Sequence, residues 1–290
     1  MRINVGLVDV DSKIPNLQLM KISAWHKERG DDVRFYNPLF DKPDRIYISK
    51  IFDFTKDYEY TPSENECHIF KGGSGYDINY GLDLDYIYPD YSLYNCDYAM
   101  GFVTRGCIRN CPFCIVPQKE GGIKQVGNIN NFWNGQTHIK LLDNNLTAHD
   151  DAFFSTMEDL TCKKIKTDFS QGLDIRLIDD EKAKALSKVK LWKQIHFAFD
   201  HINQEKAVRK GIETLKRHLS LSRVMFYVLI GYDSTQEEDL YRVRLLHSLG
   251  VDPFVMPYDK SDRYQKDFAR WVNHKAIFKS VTWEDYKKTG

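Results

Sequence analysis

The chain has 290 residues, of which 42% are hydrophobic and 13% aromatic, with 41 basic side chains against 41 acidic ones. That length holds one large domain or two ordinary ones, and no apolar run approaches a membrane span. Zero formal net charge gives no support to binding driven by a nucleic-acid phosphate backbone.

Residues 3–10 read as a buried strand that ends in turn residues. The start of the chain lacks the long apolar region of a signal peptide, so the expectation is a cytoplasmic protein. Residues 15–29 read as a helix with Pro15 in its first turn. Leu17, Leu19, Met20, Ile22, Ala24 and Trp25 give it an apolar face, and Gly30 stops it. A strand at 33–36 completes a βαβ unit. Strands at 45–51 and 68–70 follow, then a Gly-rich turn at 71–76. Residues 77–97 are rich in Asp, Tyr and Pro and read as a linker or lid. Tyr86, Tyr88, Tyr91, Tyr94 and Tyr98 either line a substrate mouth or pack two domains together.

From Tyr98 onward strands and helices alternate. Strands are expected at 99–104, 138–142, 166–170, 194–199, 224–230 and 252–256. Helices are expected at 151–162, 179–188, 204–218 and 235–249, the last with a capping arrangement of Ser234 or Thr235 with Glu237 or Glu238. Such alternation argues for parallel β/α architecture. A helix at 268–278 closes it.

The most informative stretch is Thr104-Arg105-Gly106-Cys107-Ile108-Arg109-Asn110-Cys111-Pro112-Phe113-Cys114. Its thiolates are soft ligands that suit iron–sulfur clusters, zinc or Cu(I). Cys107, Cys111 and Cys114 can hold three corners of a cubane 4Fe–4S cluster, leaving the fourth iron open to substrate or cofactor. A cluster that only carries electrons normally has four cysteines. Zinc would want a fourth ligand, which only the distant Cys162, His138 or His149 could provide. Cys67, Cys96 and Cys162 stand singly and read as free thiols in a reducing compartment.

This stretch, with Phe113 before the third cysteine, resembles the cluster loop of the radical S-adenosylmethionine (SAM) superfamily. Its continuation, Ile115-Val116-Pro117-Gln118-Lys119-Glu120-Gly121, is similar to the methylthiotransferase and cobalamin-type branches. The resemblance implies an α/β fold. Residues 1–95 would form an N-terminal Rossmann-like βαβ domain, 96–258 a partial (β/α)6 TIM-like barrel, and 259–290 a C-terminal helical closure. It implies a radical SAM enzyme in which a 4Fe–4S cluster reductively cleaves SAM to a 5′-deoxyadenosyl radical that abstracts hydrogen from an unknown substrate. The electron donor would be a protein such as flavodoxin or ferredoxin. Cobalamin is not expected, because Asp9-Val10-Asp11-Ser12-Lys13 stands where the cobalamin branch has DxHxxG, with its cobalt-ligating histidine.

The resemblance also distributes roles among strand ends, where β/α barrels gather reactive groups. Cys107, Cys111 and Cys114 would ligate the cluster. Phe113 would pack near the adenine. Asp143, Asn144 and Asn145 stand where the superfamily holds the methionine amino group; a polar turn with local hydrogen bonds is the alternative. Gln171 and Arg176 would face the active site, with Arg176 suited to the SAM carboxylate, unless it forms a surface salt bridge. Asp200 would accept from a ribose hydroxyl or cap a helix. Gly231 would permit close approach of the adenine. Two competing functions remain: a methylthiotransferase-like modification of RNA or protein, and a zinc-stabilised module without catalysis.

Overall fold

Helix α1, Leu17–Lys27, starts two residues later than the expected 15, because the Asn16 side chain accepts the Leu19 amide and caps it. Its buried Leu19 and Ile22 pack on Val5, Leu7 and Val33. The computed structural model describes residues 2–60, 62, 67–79, 82 and 84–287; parts of the expected linker 77–97 and of the closure 259–290 lie outside these. Among the described residues, β1 (Asn4–Asp9), β2 (Asp32–Phe35), β3 (Arg45–Ser49) and β4 (His68–Gly72) form a parallel sheet of order β2-β1-β3-β4. The Gly-rich turn after β4 folds back on this sheet. A Cβ at Gly73 would stand 2.3 Å from the Lys50 carbonyl oxygen.

The expected strand 99–104 is broken. Strand β5 covers only Ala99–Gly101, and Thr104–Arg105 forms β6, which pairs antiparallel with β7, Lys124–Gln125. The short helix α2, Val116–Glu120, lies between β6 and β7. At the break, Asp143 takes the amides of Val103 and Thr104, so neither donates to a neighbouring strand as β5 would require.

Five more strands alternate with helices: β8 (His138–Leu141), α3 (Asp150–Cys162), β9 (Lys166–Phe169), α4 (Asp180–Lys188), β10 (Ile195–Ala198), α5 (Glu205–Lys216), β11 (Val224–Ile230), α6 (Gln236–Ser248) and β12 (Asp252–Pro257). They form two parallel sheets, β5-β8-β9 and β10-β11-β12. Bridges at Thr167–Leu191 and Leu173–Phe197 join the sheets. One large core fills the space between strands and helices, with Ile139, Phe197, Phe226 and Val228 meeting Phe153, Leu186, Ile212 and Val243.

Helix α6 carries the expected capping box, with Thr235 and Glu238 exchanging side-chain and backbone bonds. Its fully buried Arg242 pairs with Asp239 and donates to the carbonyls of Phe199 and Leu229. One guanidinium thereby fixes the ends of β10 and β11. The closing helix is two: α7 (Arg263–Asn273) and α8 (Lys275–Ser280), divided at His274, followed by α9 (Trp283–Tyr286). Asn273 bonds both the amide and the carbonyl of Val255 on the outer strand β12, which covers that edge as a further strand would.

Tyr91 and Tyr94 of the 77–97 segment pack rather than line a mouth, whereas Tyr86 and Tyr88 are exposed. The Tyr91 hydroxyl donates to the Phe132 carbonyl and accepts the Met100 amide. The Tyr94 hydroxyl donates to Asp9 at the end of β1. Asp85 receives both Arg105 and Lys21. Burial would raise the Asp85 carboxyl, but the Arg105 hydrogen bonds and charge outweigh it and hold it below the ordinary range. No helix among the described residues is long and apolar enough to cross a membrane.

Candidate cysteine-lined cofactor site

The loop between β6 and β7 carries the three cysteines. It is closed by backbone: the Cys107 amide donates to the Gly121 carbonyl at 3.2 Å. Gly106 makes this closure possible. Its φ is +81°, and a Cβ there would lie 2.3 Å from the Gly122 oxygen, so only glycine fits without displacement. At the loop's far end the Lys119 ammonium donates to Ser74 of the Gly-rich turn, which ties the loop to the N-terminal sheet.

The consecutive residues after β8 grip this loop. Asp143 is buried and accepts the Thr104 amide at 2.5 Å and its hydroxyl at 2.7 Å. Burial pushes its carboxyl up to about 6, against the pull of those hydrogen bonds. The Asn144 oxygen accepts the Gly106 amide at 3.1 Å. The Asn145 amide donates to the Cys107 sulfur at 3.3 Å.

Opposite lies the turn after β9. Asp174 accepts Arg176 through both oxygens, at 2.6 and 3.0 Å, and Arg109 at 2.8 Å. Burial alone would raise the Asp174 carboxyl; the two guanidinium groups, Arg176 first, hold it below the ordinary range. Burial pushes the Cys111 thiol up, while the Arg176 charge opposes that rise.

These walls enclose a cavity of about 200 Å³. It is lined by Cys107, Cys111 and Cys114, by Phe113, Asn144 and Asn145, and by Gln171, Arg176 and Asp200. Nine of the sequence-selected residues thus share one space. Asp143 and Gly231 do not line it. Asp143 spends its carboxylate on the loop backbone. Gly231 backs onto α7, where a Cβ would stand 2.1 Å from the Gln265 amide nitrogen. Asp200 is partly buried; its carboxylate accepts the Leu229 amide, and burial raises its pKa. The cap of the next turn is His201, not Asp200. Phe113 meets Tyr232 edge to face, centroids 5.5 Å apart.

Arg109 and Asp174 were not selected from the sequence. Each sat in a stretch already singled out, but their pairing spans 65 positions, and no local pattern encodes it. Cys67 is buried near Val8 and Ile46, Cys96 donates to the Tyr98 carbonyl, and Cys162 is exposed. None of the three lines the cavity. His149 uses its Nδ1 to cap α3, and His138 lies against Trp192.

Among the described residues no three His, Cys, Asp or Glu side chains converge on a point as ligands of one metal ion. A cubane cluster instead seats its thiolates on separate irons, and its properties depend on hydrogen bonds to sulfur. The donor set suits it. The Cys107 sulfur receives the Arg109 and Asn145 nitrogens at 3.3 Å each, and Cys114 receives the Val116 amide at 3.5 Å. Such N–H donors stabilise a thiolate, and the arginine pair brings positive charge to the same wall.

No protein-family model matches the sequence, and no curated protein does. Among solved structures, the chain is similar to the radical S-adenosylmethionine methyltransferase TsrM from Kitasatospora setae, determined with cobalamin and a [4Fe-4S] cluster bound. The TM-score is 0.64 at 11% identity, over 89% of this chain and 75% of that one. At that identity the likeness establishes a shared mixed α/β fold with parallel sheets.

Proposed function

We propose that this chain is a radical SAM enzyme in which Cys107, Cys111 and Cys114 hold a 4Fe–4S cluster. One observation carries the reading: the three cysteines share a cavity with Asn144, Asn145, Gln171, Arg176 and Asp200, polar groups drawn from the ends of three successive strands. A shared fold with a radical SAM methyltransferase supports it. In this reading the two sheets after residue 96 act as a partial (β/α)6 barrel, and the sheet before residue 95 as a Rossmann-like domain; the helices α7, α8 and α9 close the barrel.

When bound, the cluster supplies the electron that cleaves SAM to a 5′-deoxyadenosyl radical. The chain's own residues bind and orient. Arg176 offers a guanidinium to the SAM carboxylate, held in place by Asp174. Asn144 and Gln171 present amides to the methionine end. Asp200 accepts from a ribose hydroxyl, and Phe113 packs beside the adenine. The reductant is a protein electron donor of the flavodoxin or ferredoxin kind.

Anaerobic reconstitution tests the cluster. About four iron per chain supports it. About eight would favour the methylthiotransferase alternative, and tight zinc without iron would sink both. Absence of cobalamin is likewise proposed, since residues 9–13 offer no imidazole. The cobalamin of the structural neighbour names the competing outcome: a corrin spectrum that survives gel filtration.

A further inference from the structure

The hydrogen bonds around Cys107 close on themselves. The Asn145 amide donates to the Cys107 sulfur, and the Asn145 oxygen accepts the Thr147 hydroxyl at 2.8 Å. The same hydroxyl oxygen accepts the Asp174 amide at 3.0 Å. The Asp174 carboxylate accepts the Arg109 guanidinium, and the Arg109 amide donates back to the Cys107 sulfur. Five residues from three chain segments form one ring. Thr147, Asn145 and Asp174 are 1%, 3% and 8% exposed, so solvent cannot readily replace a broken link. The three sulfurs are unequally served among the described residues: Cys107 has two N–H donors, Cys114 one, and Cys111 none.

We infer that Thr147 is a positioning residue: through this ring it fixes the Cys107 corner and tunes the reduction potential of the cluster that the proposed function places there. Thr147 touches neither sulfur nor cavity. It acts by orienting the Asn145 donor and, through the Asp174 amide, the carboxylate that holds Arg109. Hydrogen bonds to a thiolate stabilise its electron-rich form and favour the reduced cluster. Outer partners of this kind also set how firmly metal is held. The ring makes Cys107 the corner least free to release iron. The inference rests on the cluster reading and fails separately from it.

The test compares native protein, Thr147→Val and Thr147→Ser, each reconstituted anaerobically. Thr147→Val keeps the volume and removes the hydroxyl; Thr147→Ser keeps the hydroxyl. The readouts are iron release to a chelator and the midpoint potential followed by electron paramagnetic resonance. Thr147→Val should release iron about tenfold faster and shift the midpoint to more negative values, with Thr147→Ser close to native on both. The inference is overturned if Thr147→Val matches native in release and potential, even where its apoprotein melts lower, or if Thr147→Ser behaves as Thr147→Val does. Should Thr147→Val fail to fold, Asp174→Asn carries the test. It keeps the backbone bond to Thr147 and gives up the charged bond to Arg109; faster release supports the ring, and unchanged release overturns it. A native chain that takes up no iron would refute the proposed function instead.

Discussion

The Asn144 side-chain oxygen accepts the Gly106 amide at 3.1 Å. A residue expected to face a cofactor therefore also sets the conformation of the residue before the first cysteine. The loop depends on that geometry, because Gly106 at φ +81° lies against the Gly121 and Gly122 carbonyls. Gly106→Ala should cost about 1–3 kcal/mol of stability through positive φ and crowding. It should also lower iron uptake by more than the stability loss explains. Denaturant titration and iron analysis of the same preparation check both.

Asp143 makes stability depend on pH. Its carboxyl rises from 3.8 to about 6 on folding. The folded state thus binds the proton more tightly than the unfolded state does, and this contribution falls as pH rises between those values. Asp143→Asn keeps an acceptor for the Thr104 amide and removes the titration. The native advantage over the variant should shrink by about 1–3 kcal/mol between about pH 4 and about pH 7. Urea unfolding at several pH values measures it; a constant difference would contradict the assignment.

Tyr91 ties the 77–97 segment to the first core strand. Tyr91→Phe leaves the Phe132 carbonyl and the Met100 amide without this partner. A loss of about 1–3 kcal/mol follows, measurable by thermal or chemical denaturation, with cluster uptake retained once the variant is folded.

Much of the fold was legible because its signals are local. The run Val224–Ile230 is continuously apolar or aromatic and forms the longest strand. Thr235 and Glu238 stand three apart, as a capping box requires. What was hidden depends on long-range competition. Nothing near Val103 announces that Asp143, forty positions on, will claim its amide at the break after β5. The two-residue strands β6 and β7 are too short for any periodicity to register. Asn16 displaced Pro15 as the helix start because its side chain satisfies an amide that proline cannot. At the site, the cysteines stood out by spacing and chemistry, and Gln171 and Arg176 by the family resemblance together with their place after a strand end. Asp174 was in plain view, but its role needs Arg109, which only the folded loop brings within 2.8 Å.

Arg176 tests the cofactor contacts. It lines the cavity, about one-third exposed, and is oriented by Asp174. Arg176→Ala should weaken SAM binding by about 1.5–3 kcal/mol, the loss of a charge-assisted hydrogen bond. The cluster's visible absorbance should stay, since arginine is no ligand. Equilibrium binding of SAM to the reconstituted variant reads this out, and unchanged affinity would remove Arg176 from the cofactor site.

The central claim is that the cavity behind Cys107, Cys111 and Cys114 cleaves SAM by electron transfer. The direct measurement is 5′-deoxyadenosine formed by the anaerobically reconstituted protein with SAM and a strong reductant, beside a Cys111→Ala variant treated identically. The account predicts time-dependent 5′-deoxyadenosine from the native protein and none above background from the variant. Equal yields from both, or none from a native protein that holds its full iron, would contradict it.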